Sequence, residues 1–314
     1  MSEDPGESYV IHAILRQQDA APGRTQGLDV RQGPGDDAAW LHADELVTTD
    51  VMVEGVHFDG RLSPEDLGWK LVAVNASDIG AMGGRPSWAL LTISLPSPLD
   101  RGWVDAFARG LGAGLARFGA TLVGGDTTRS PGPVFAGLTL GGRAARPVLR
   151  SGARAGHELW VPGTLGEAAA GFLLGSAAGL AWLRRPDPPV DFGAALGEAG
   201  LCTAMMDLSD GLLRDLGRLC RASRVGAVVL PAALPLGPAL LGVADPLPCQ
   251  VGFGDDYQLL FAARPEDASA IRALGVAHGV AVTRVGELTE GEEVVLSGRE
   301  WPPPLFAHFE GAGP

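Results

Sequence analysis

Lysine is almost missing from this 314-residue chain: of its 24 basic residues, only Lys70 is one. That position lacks both contexts in which a lysine grips nucleotide phosphates. No G-x-x-x-x-G precedes it, as in a P-loop, and no V-A-I-K-like strand surrounds it. Positive charge is scarce overall. With 37 Asp and Glu against those 24 basic residues, the net charge is −13 and the pI is near 4.8. The basic stripes that hold a nucleic-acid backbone are therefore excluded, and no nucleic-acid partner is expected. Cysteine is sparse too. Cys202, Cys220 and Cys249 form no C-x-x-C pair and have no histidine at zinc-ligand distance, so they read as reduced core thiols. Long apolar runs are also lacking. The most membrane-like stretch, Ala168 to Leu183, is slightly short for a span and rich in glycine and alanine. It predicts a packed interior helix opened by Glu167 and closed by Arg184 and Arg185, with no membrane association. The start, MSEDPGES, has neither the basic nor the apolar segment of a secretory signal, so a cytoplasmic location is expected.

Apolar residues are plentiful, at 46%, and are enough to build a large core or two domains of ordinary size. Residues 8 to 18 read as a short amphipathic helix, and ELVTTDVMV as a strand preceded by GPGDDAAWL. Ser63-Pro64-Glu65-Asp66 is a helix start with a capping serine, proline at the first helical position and acids in the first turn. That helix is predicted to run to about Met82, with Asn75 and Asp78 on one face where they can meet the same ligand. ALLTISL reads as a strand, DRGWVDAFARGLGAGLARFG as a helix ending at Gly119, and ATLVGGD as a short strand broken at Gly124-Gly125. The arginine-rich connection from Arg143 to Arg154 marks a boundary between domains at 1–146 and 147–314. In the second half, RRPDPPVD reads as a loop and MMDLSDGLLRDLGRLCRAS as a loop entering a helix. Strands and helices intermix without strict alternation. The expected class is α+β, with two domains of mixed or antiparallel sheets flanked by helices.

The chemistry lies in a series of aspartates beside Gly, Ser or Thr. They are Gly35-Asp36-Asp37, Thr48-Thr49-Asp50, Ser77-Asp78, Gly124-Gly125-Asp126-Thr127-Thr128, Asp207-Leu208-Ser209-Asp210-Gly211 and Gly254-Asp255-Asp256. Each alone is an ordinary turn or cap. Together they sit in apolar contexts at predicted element ends, which predicts convergence. Two carboxylates about 4 Å apart repel by roughly 4 kcal/mol at an effective dielectric of 20, so such a cluster needs cations or protons. Mg²⁺ suits it, because it takes hard oxygen ligands and completes its shell with substrate phosphates.

As an ordered set, GDDAA, TTDVMVEGVHF, VNASDIGAMG, LVGGDTT, DLSDGL and G-DDYQLLF resemble the motif series of the thiamine-monophosphate kinase family. The wider superfamily includes aminoimidazole ribonucleotide synthetase and selenophosphate synthetase. The resemblance runs from about residue 30 to 262, and VEGVHF and GGDTT are its most specific elements. It implies a homodimer pairing through N-terminal β-sheet, and a cleft between the domains holding ATP, several Mg²⁺ ions and thiamine monophosphate. Residue by residue, it implies that Asp37, Thr48, Thr49, Asp50, Asp78, Asp126, Asp207 and Asp210 form the metal shell. Of these, Asp50, Asp78, Asp126 and Asp210 carry catalysis. Gly125, Asp126, Ser209 and Arg150 are implied nucleotide or phosphate contacts. His57, Asp255 and Phe306 are implied substrate contacts, with Trp301 a competitor for the role of Phe306. The chain departs from the family's G-E-D-Y-E at Gly254-Asp255-Asp256-Tyr257-Gln258, where Asp255 is one methylene shorter.

The expected reaction is in-line transfer of the terminal ATP phosphoryl group to the phosphate of thiamine monophosphate. That acceptor is already ionised near neutrality, since the second pKa of a phosphomonoester is about 6, so no strong base is required. Selenophosphate synthetase would want a reactive residue near the N-terminal glycine-rich loop, yet the first cysteine is Cys202. A hydrogenase-maturation relative would want a C-terminal cysteine, whereas this sequence closes on HFEGAGP. An aminoimidazole ribonucleotide synthetase-like enzyme and a non-enzymatic divalent-cation-binding protein are the remaining alternatives.

Overall fold

The computed structural model describes residues 30–42 and 44–303. The helix expected at residues 8 to 18 lies outside them, as does Phe306. Two sheets organise the described residues. The first contains β1 (Ala39–Trp40), β2 (Glu45–Val53), β3 (Arg85–Leu95), β4 (Thr121–Arg129) and β5 (Phe135–Arg143), in the order β1-β2-β5-β3-β4. Its pairs are antiparallel except β3 with β4. The second contains β6 (Glu158–Pro162), β7 (Ala204–Asp207), β8 (Gly226–Val229), β9 (Leu259–Ala263), β10 (Val282–Thr289) and β11 (Val294–Leu296), in the order β11-β8-β10-β6-β9-β7. Both are mixed sheets with flanking helices, so the α+β expectation holds.

Helix α1 (Pro64–Ala81) joins the two halves. Ser63 caps it as expected: its hydroxyl accepts from the Asp66 N–H, and the Asp66 carboxylate receives the Ser63 N–H in return. At 18 residues the helix is about 27 Å long, enough to cross the first sheet and reach the second. Leu67, Leu71, Ile79 and Met82 pack with Leu138 and Leu140 of β5 in the first core. Ala81 joins Trp160, Met205 and Phe261 in a core on the second sheet. A helix apolar on nearly every side is a buried helix. The polar residues inside it, Lys70, Asn75 and Ser77, are buried and each has a hydrogen-bonding partner. Helix α2 (Arg101–Phe118) covers the same face of the first sheet and ends at Gly119 in the left-handed conformation, as expected.

Four local expectations are corrected. The single helix expected over Ala168 to Leu183 is a helical hairpin, α3 (Glu167–Leu174) and α4 (Ala177–Arg184). It breaks because Gly175 turns left-handed and Ser176 caps α4. The two helices then cross where a Cβ on Gly171 would lie 2.3 Å from Gly179, so the glycines serve close helix packing. Strand β4 does not stop at Gly124-Gly125. It continues to Arg129 because a register shift between Ala89 and Leu90 absorbs the irregularity. Helix α5 (Val190–Ala199) follows the proline-rich loop directly, with Phe192 and Leu196 buried. The MMD segment is strand β7, whose side chains are buried on both faces, so it shows none of the alternation that marks a half-exposed strand. Helices α6 (Leu212–Ser223), α7 (Leu247–Gly252) and α8 (Ala268–Ala277) complete the fold. Among the described residues no helix is long and apolar enough to cross a membrane.

Candidate active site

Carboxylates from three distant parts of the chain meet where α1 runs between the sheets. Oxygens of Asp37 (before β1), Asp78 (on α1) and Asp207 (at the end of β7) all lie within 4.8 Å of one another. Asp207 is 2% exposed and Asp37 is buried with it. Strand β2 supplies two neighbours. The Thr48 hydroxyl donates to Asp78 Oδ2 at 2.6 Å, and the backbone N–H of Asp50 donates to Asn75 Oδ1 at 3.0 Å. Asn75 and Asp78 do share a helix face, but they serve different partners: the Asn75 amide donates to the Leu71 carbonyl and positions β2. The Ser77 hydroxyl donates to Asp207 Oδ2 at 2.8 Å.

Electrostatics follow from the crowding. Burial, reinforced by Asp50, Asp207 and Asp37, pushes Asp78 well above the usual carboxylate range. Burial, with Asp37 and Asp215, does the same to Asp207. Asp50 is pushed to about 6 by burial and by Asp210. Asp36 also rises to about 6 through burial, although the Arg150 N–H that donates to it pulls the other way. One guanidinium offsets part of this charge. Arg150 donates through Nε (3.3 Å) and Nη2 (2.9 Å) to the two oxygens of Asp37. Burial disfavours its charge, but the field of Asp37 outweighs that and raises its pKa. The family resemblance implies a phosphate contact for Arg150. Here it braces a member of the carboxylate cluster in a forked contact.

A second group adjoins the first. The carboxylate of Asp215, on α6, receives the backbone N–H of Asp210 (3.0 Å), and Arg218 donates to it at 2.9 Å. Arg218 also pairs with Asp210 at 2.5 Å. Burial, with Asp210 close by, lifts Asp215 to about 7. Loop 207–211 lies directly against loop 254–258. A Cβ on Gly254 would sit 1.8 Å from the Ser209 carbonyl, so only glycine permits this approach. In the second loop, Asp255 receives hydrogen bonds from Lys70 (2.8 Å) and Tyr257 (3.0 Å). The carboxylate of the next residue, Asp256, accepts the N–H groups of Gly166 and Ala168 at the start of α3. Burial raises Asp256 to about 7 in spite of those bonds.

Several expected residues stand apart from the cluster. Thr49 follows Thr48 on β2, and successive strand side chains point to opposite faces. Its hydroxyl donates to the Leu138 carbonyl and accepts from Thr139 on the sheet face away from α1. Asp126 is paired in register with Thr92, Gly137 and Val51, so it shares the open face with exposed Val51. Three inter-strand steps place it about 14 Å across the sheet from β2. Gly125, beside it, must be glycine because a Cβ would lie 2.0 Å from the Leu91 carbonyl. His57, partly buried, accepts the Val53 N–H through Nδ1 and so closes the turn after β2. Trp301 packs on the second core with its indole N–H on the Val294 carbonyl. Ser209 is half-buried, and its carbonyl accepts the Asp255 N–H. Sequence reasoning gave no role to Lys70, Ser77, Asp215 or Arg218. Only the i, i+3 spacing of Asp215 and Arg218 on one helix was visible beforehand.

Comparison with known proteins places this arrangement in a family. Residues 35–144 match the AIR synthase related protein N-terminal domain, and residues 154–299 match the AIR synthase related protein C-terminal domain. Thiamine-monophosphate kinase of Salmonella typhimurium is 35% identical over 309 residues, covering 90% of this chain and 92% of that protein. Thiamine-monophosphate kinase from Stenotrophomonas maltophilia K279a superposes with a TM-score of 0.76 at 36% identity, over 91% of this chain and 95% of that one. AaThiL complexed with AMPPCP and TMP superposes with a TM-score of 0.80 at 30% identity, over 94% and 95% of the two chains. With its motif order, its two-sheet architecture and its converging aspartates matched across nearly the whole length, this chain belongs to the thiamine-monophosphate kinase family of AIR synthase related proteins.

Proposed function

We propose that this protein transfers the terminal phosphoryl group of ATP to thiamine monophosphate, giving thiamine diphosphate and ADP, with Mg²⁺ as its metal. The observation that carries this reading is the convergence of Asp37, Asp78 and Asp207 within 4.8 Å at the junction of the two sheets. Relatives at about 35% identity are thiamine-monophosphate kinases, and the 30% identical AaThiL binds AMPPCP and TMP together, which supports ATP and thiamine monophosphate as the substrate pair.

The residues fit Mg²⁺. The cluster offers hard carboxylate oxygens with no thiolate or imidazole among them, and burial beside like charges leaves Asp78 and Asp207 resisting ionisation while no cation is near. Asp37, Asp78 and Asp207 would hold the metal, with Asp50 and Asp210 at its margin. Bound there, Mg²⁺ would supply charge neutralisation between two anionic phosphates. The rest is positioning by the chain. Thr48 and Ser77 orient Asp78 and Asp207, Asn75 fixes the backbone of Asp50, and Arg150 keeps Asp37 in place. The acceptor phosphate is ionised at neutral pH, so a side-chain base is unnecessary.

Ser209, Gly125 and Asp126 are proposed nucleotide contacts, and His57 and Asp255 acceptor contacts. The division into units at 1–146 and 147–314 goes with a substrate cleft between the sheets. A homodimer through the first sheet is supported by its open face and by β4, an edge strand exposed throughout, where Leu122 is 42% and Val123 62% exposed. A cytoplasmic setting, where ATP is made, fits this activity.

The test is incubation of the purified protein with ATP, Mg²⁺ and either thiamine or thiamine monophosphate, followed by chromatography for thiamine diphosphate. Product is expected from the monophosphate alone. Its absence there, with folded and nucleotide-binding protein, overturns the reading.

A further inference from the structure

Lys70 is the one lysine in a chain that otherwise uses arginine for every basic side chain, and it is not on the surface. It is 1% exposed, and its ammonium lies 2.8 Å from Asp255 Oδ2. Burial in that contact rules out the open reach of a phosphate-gripping lysine. The pair links positions 185 residues apart, one on helix α1 and one in the loop before β9. A compact ammonium with three donors satisfies such a contact in less space than a planar guanidinium.

The loop it reaches is held against its own backbone preferences. Asp255 has φ 66° and Tyr257 φ 48°, both left-handed without being glycine. For a tyrosine that conformation persists only where surrounding contacts over-determine it. The contacts are present. The Tyr257 hydroxyl donates to Asp255 Oδ1, so one carboxylate is gripped at both oxygens, by Lys70 and by Tyr257. The Asp255 N–H donates to the Ser209 carbonyl, the Tyr257 N–H to the Leu208 carbonyl, and the Leu208 N–H to the Gln258 carbonyl. Loop 254–258 is therefore stitched to loop 207–211, which carries Asp207 and Asp210, and Lys70 ties both to the helix that carries Asp78.

We propose that Lys70 is a positioning residue for the acceptor substrate: by holding Asp255, it locks loops 207–211 and 254–258 to helix α1 so that the acceptor side of the cleft keeps a fixed distance from the metal-binding carboxylates. This rests on the proposed kinase reading for its kinetic consequence, but not for its structural one.

The test uses the full chain and three variants, Lys70→Met, Lys70→Arg and Asp255→Asn. Amide hydrogen exchange without substrate reads the lock directly. In K70M, peptides covering 207–211 and 254–258 should exchange about tenfold faster while those of the first sheet stay unchanged. Turnover reads the positioning. K70M should raise KM for thiamine monophosphate by about tenfold with kcat and the KM for ATP within about threefold, and K70R should recover part of the loss. Should K70M fail to fold, D255N removes the charge from the other side, and because Asp255 is itself a proposed acceptor contact only the exchange of the two loops is read there, where the same tenfold acceleration is expected. Unaltered exchange in the two loops overturns the proposal, as does an equal rise in KM for both substrates. If the wild type turns over no thiamine monophosphate, the kinase reading fails while the exchange result still decides whether Lys70 holds the loops.

Discussion

The two faces of the first sheet carry acidic and hydroxyl residues of the same kind and put them to different ends. On the face toward α1, Thr48 donates to Asp78 beside Asp37 and Asp207, and burial drives Asp78 and Asp207 toward protonation. On the open face, Thr49 and Asp126 stand among exposed Val51, Leu90 and Thr92, with Asp126 about 14 Å across the sheet from β2. Neighbours such as Thr48 and Thr49 read alike as text. The alternation of strand side chains separates them, so a motif on a strand delivers its residues to two places.

The largest break of this comparison is Asp78→Asn. Removing one charge from the cluster should lower turnover about a thousandfold with the fold retained by circular dichroism. Turnover within tenfold of wild type would remove the cluster from the mechanism. The sharper test is Thr48→Val against Thr49→Val. Loss of the hydroxyl that orients Asp78 should cost about 10- to 100-fold in activity or metal affinity. Loss of the exposed Thr49 hydroxyl should cost about twofold at most. Equal effects would show that the open face contributes as much as the covered one.

The smallest effect is a pH dependence. Asp50 is pushed up to about 6 in the folded chain, and Asp78 and Asp207 are also raised well above the unfolded value of about 3.9. Between about 4 and these raised values the folded state binds more protons than the unfolded one, so the contribution of these groups to stability falls as pH rises. It is complete below about 4 and is lost as pH passes the folded values. Mg²⁺ binds the ionised form, so it should raise the melting temperature by several degrees at pH 8 and by little at pH 5. A metal-induced shift of equal size at both pH values would contradict the assignment.

Much of this was legible in the chain itself. The capping box at Ser63 and Asp66, the left-handed stop at Gly119 and the six aspartate motifs depend on local chemistry or on order along the sequence, and no tertiary contact overrules them. Where the reading failed, a distant partner decided. The run from Ala168 to Leu183 has the composition of one helix, yet Gly171 packing on Gly179 makes it two. The partner of Lys70 left no visible signal, because an ion pair across 185 residues has no periodicity to betray it.

By itself, then, the sequence determined the class of chemistry. An acidic chain with one lysine and ordered Gly-Asp, Thr-Asp and Ser-Asp units can manage phosphates through cations and arginines, but not through a P-loop. Tertiary structure alone decided which of those acids share a site, because strand parity and register assign faces that a linear motif does not distinguish. It also decided that the lone lysine serves a loop instead of a nucleotide, since burial and its partner Asp255 are fixed only when α1 is packed between the two sheets.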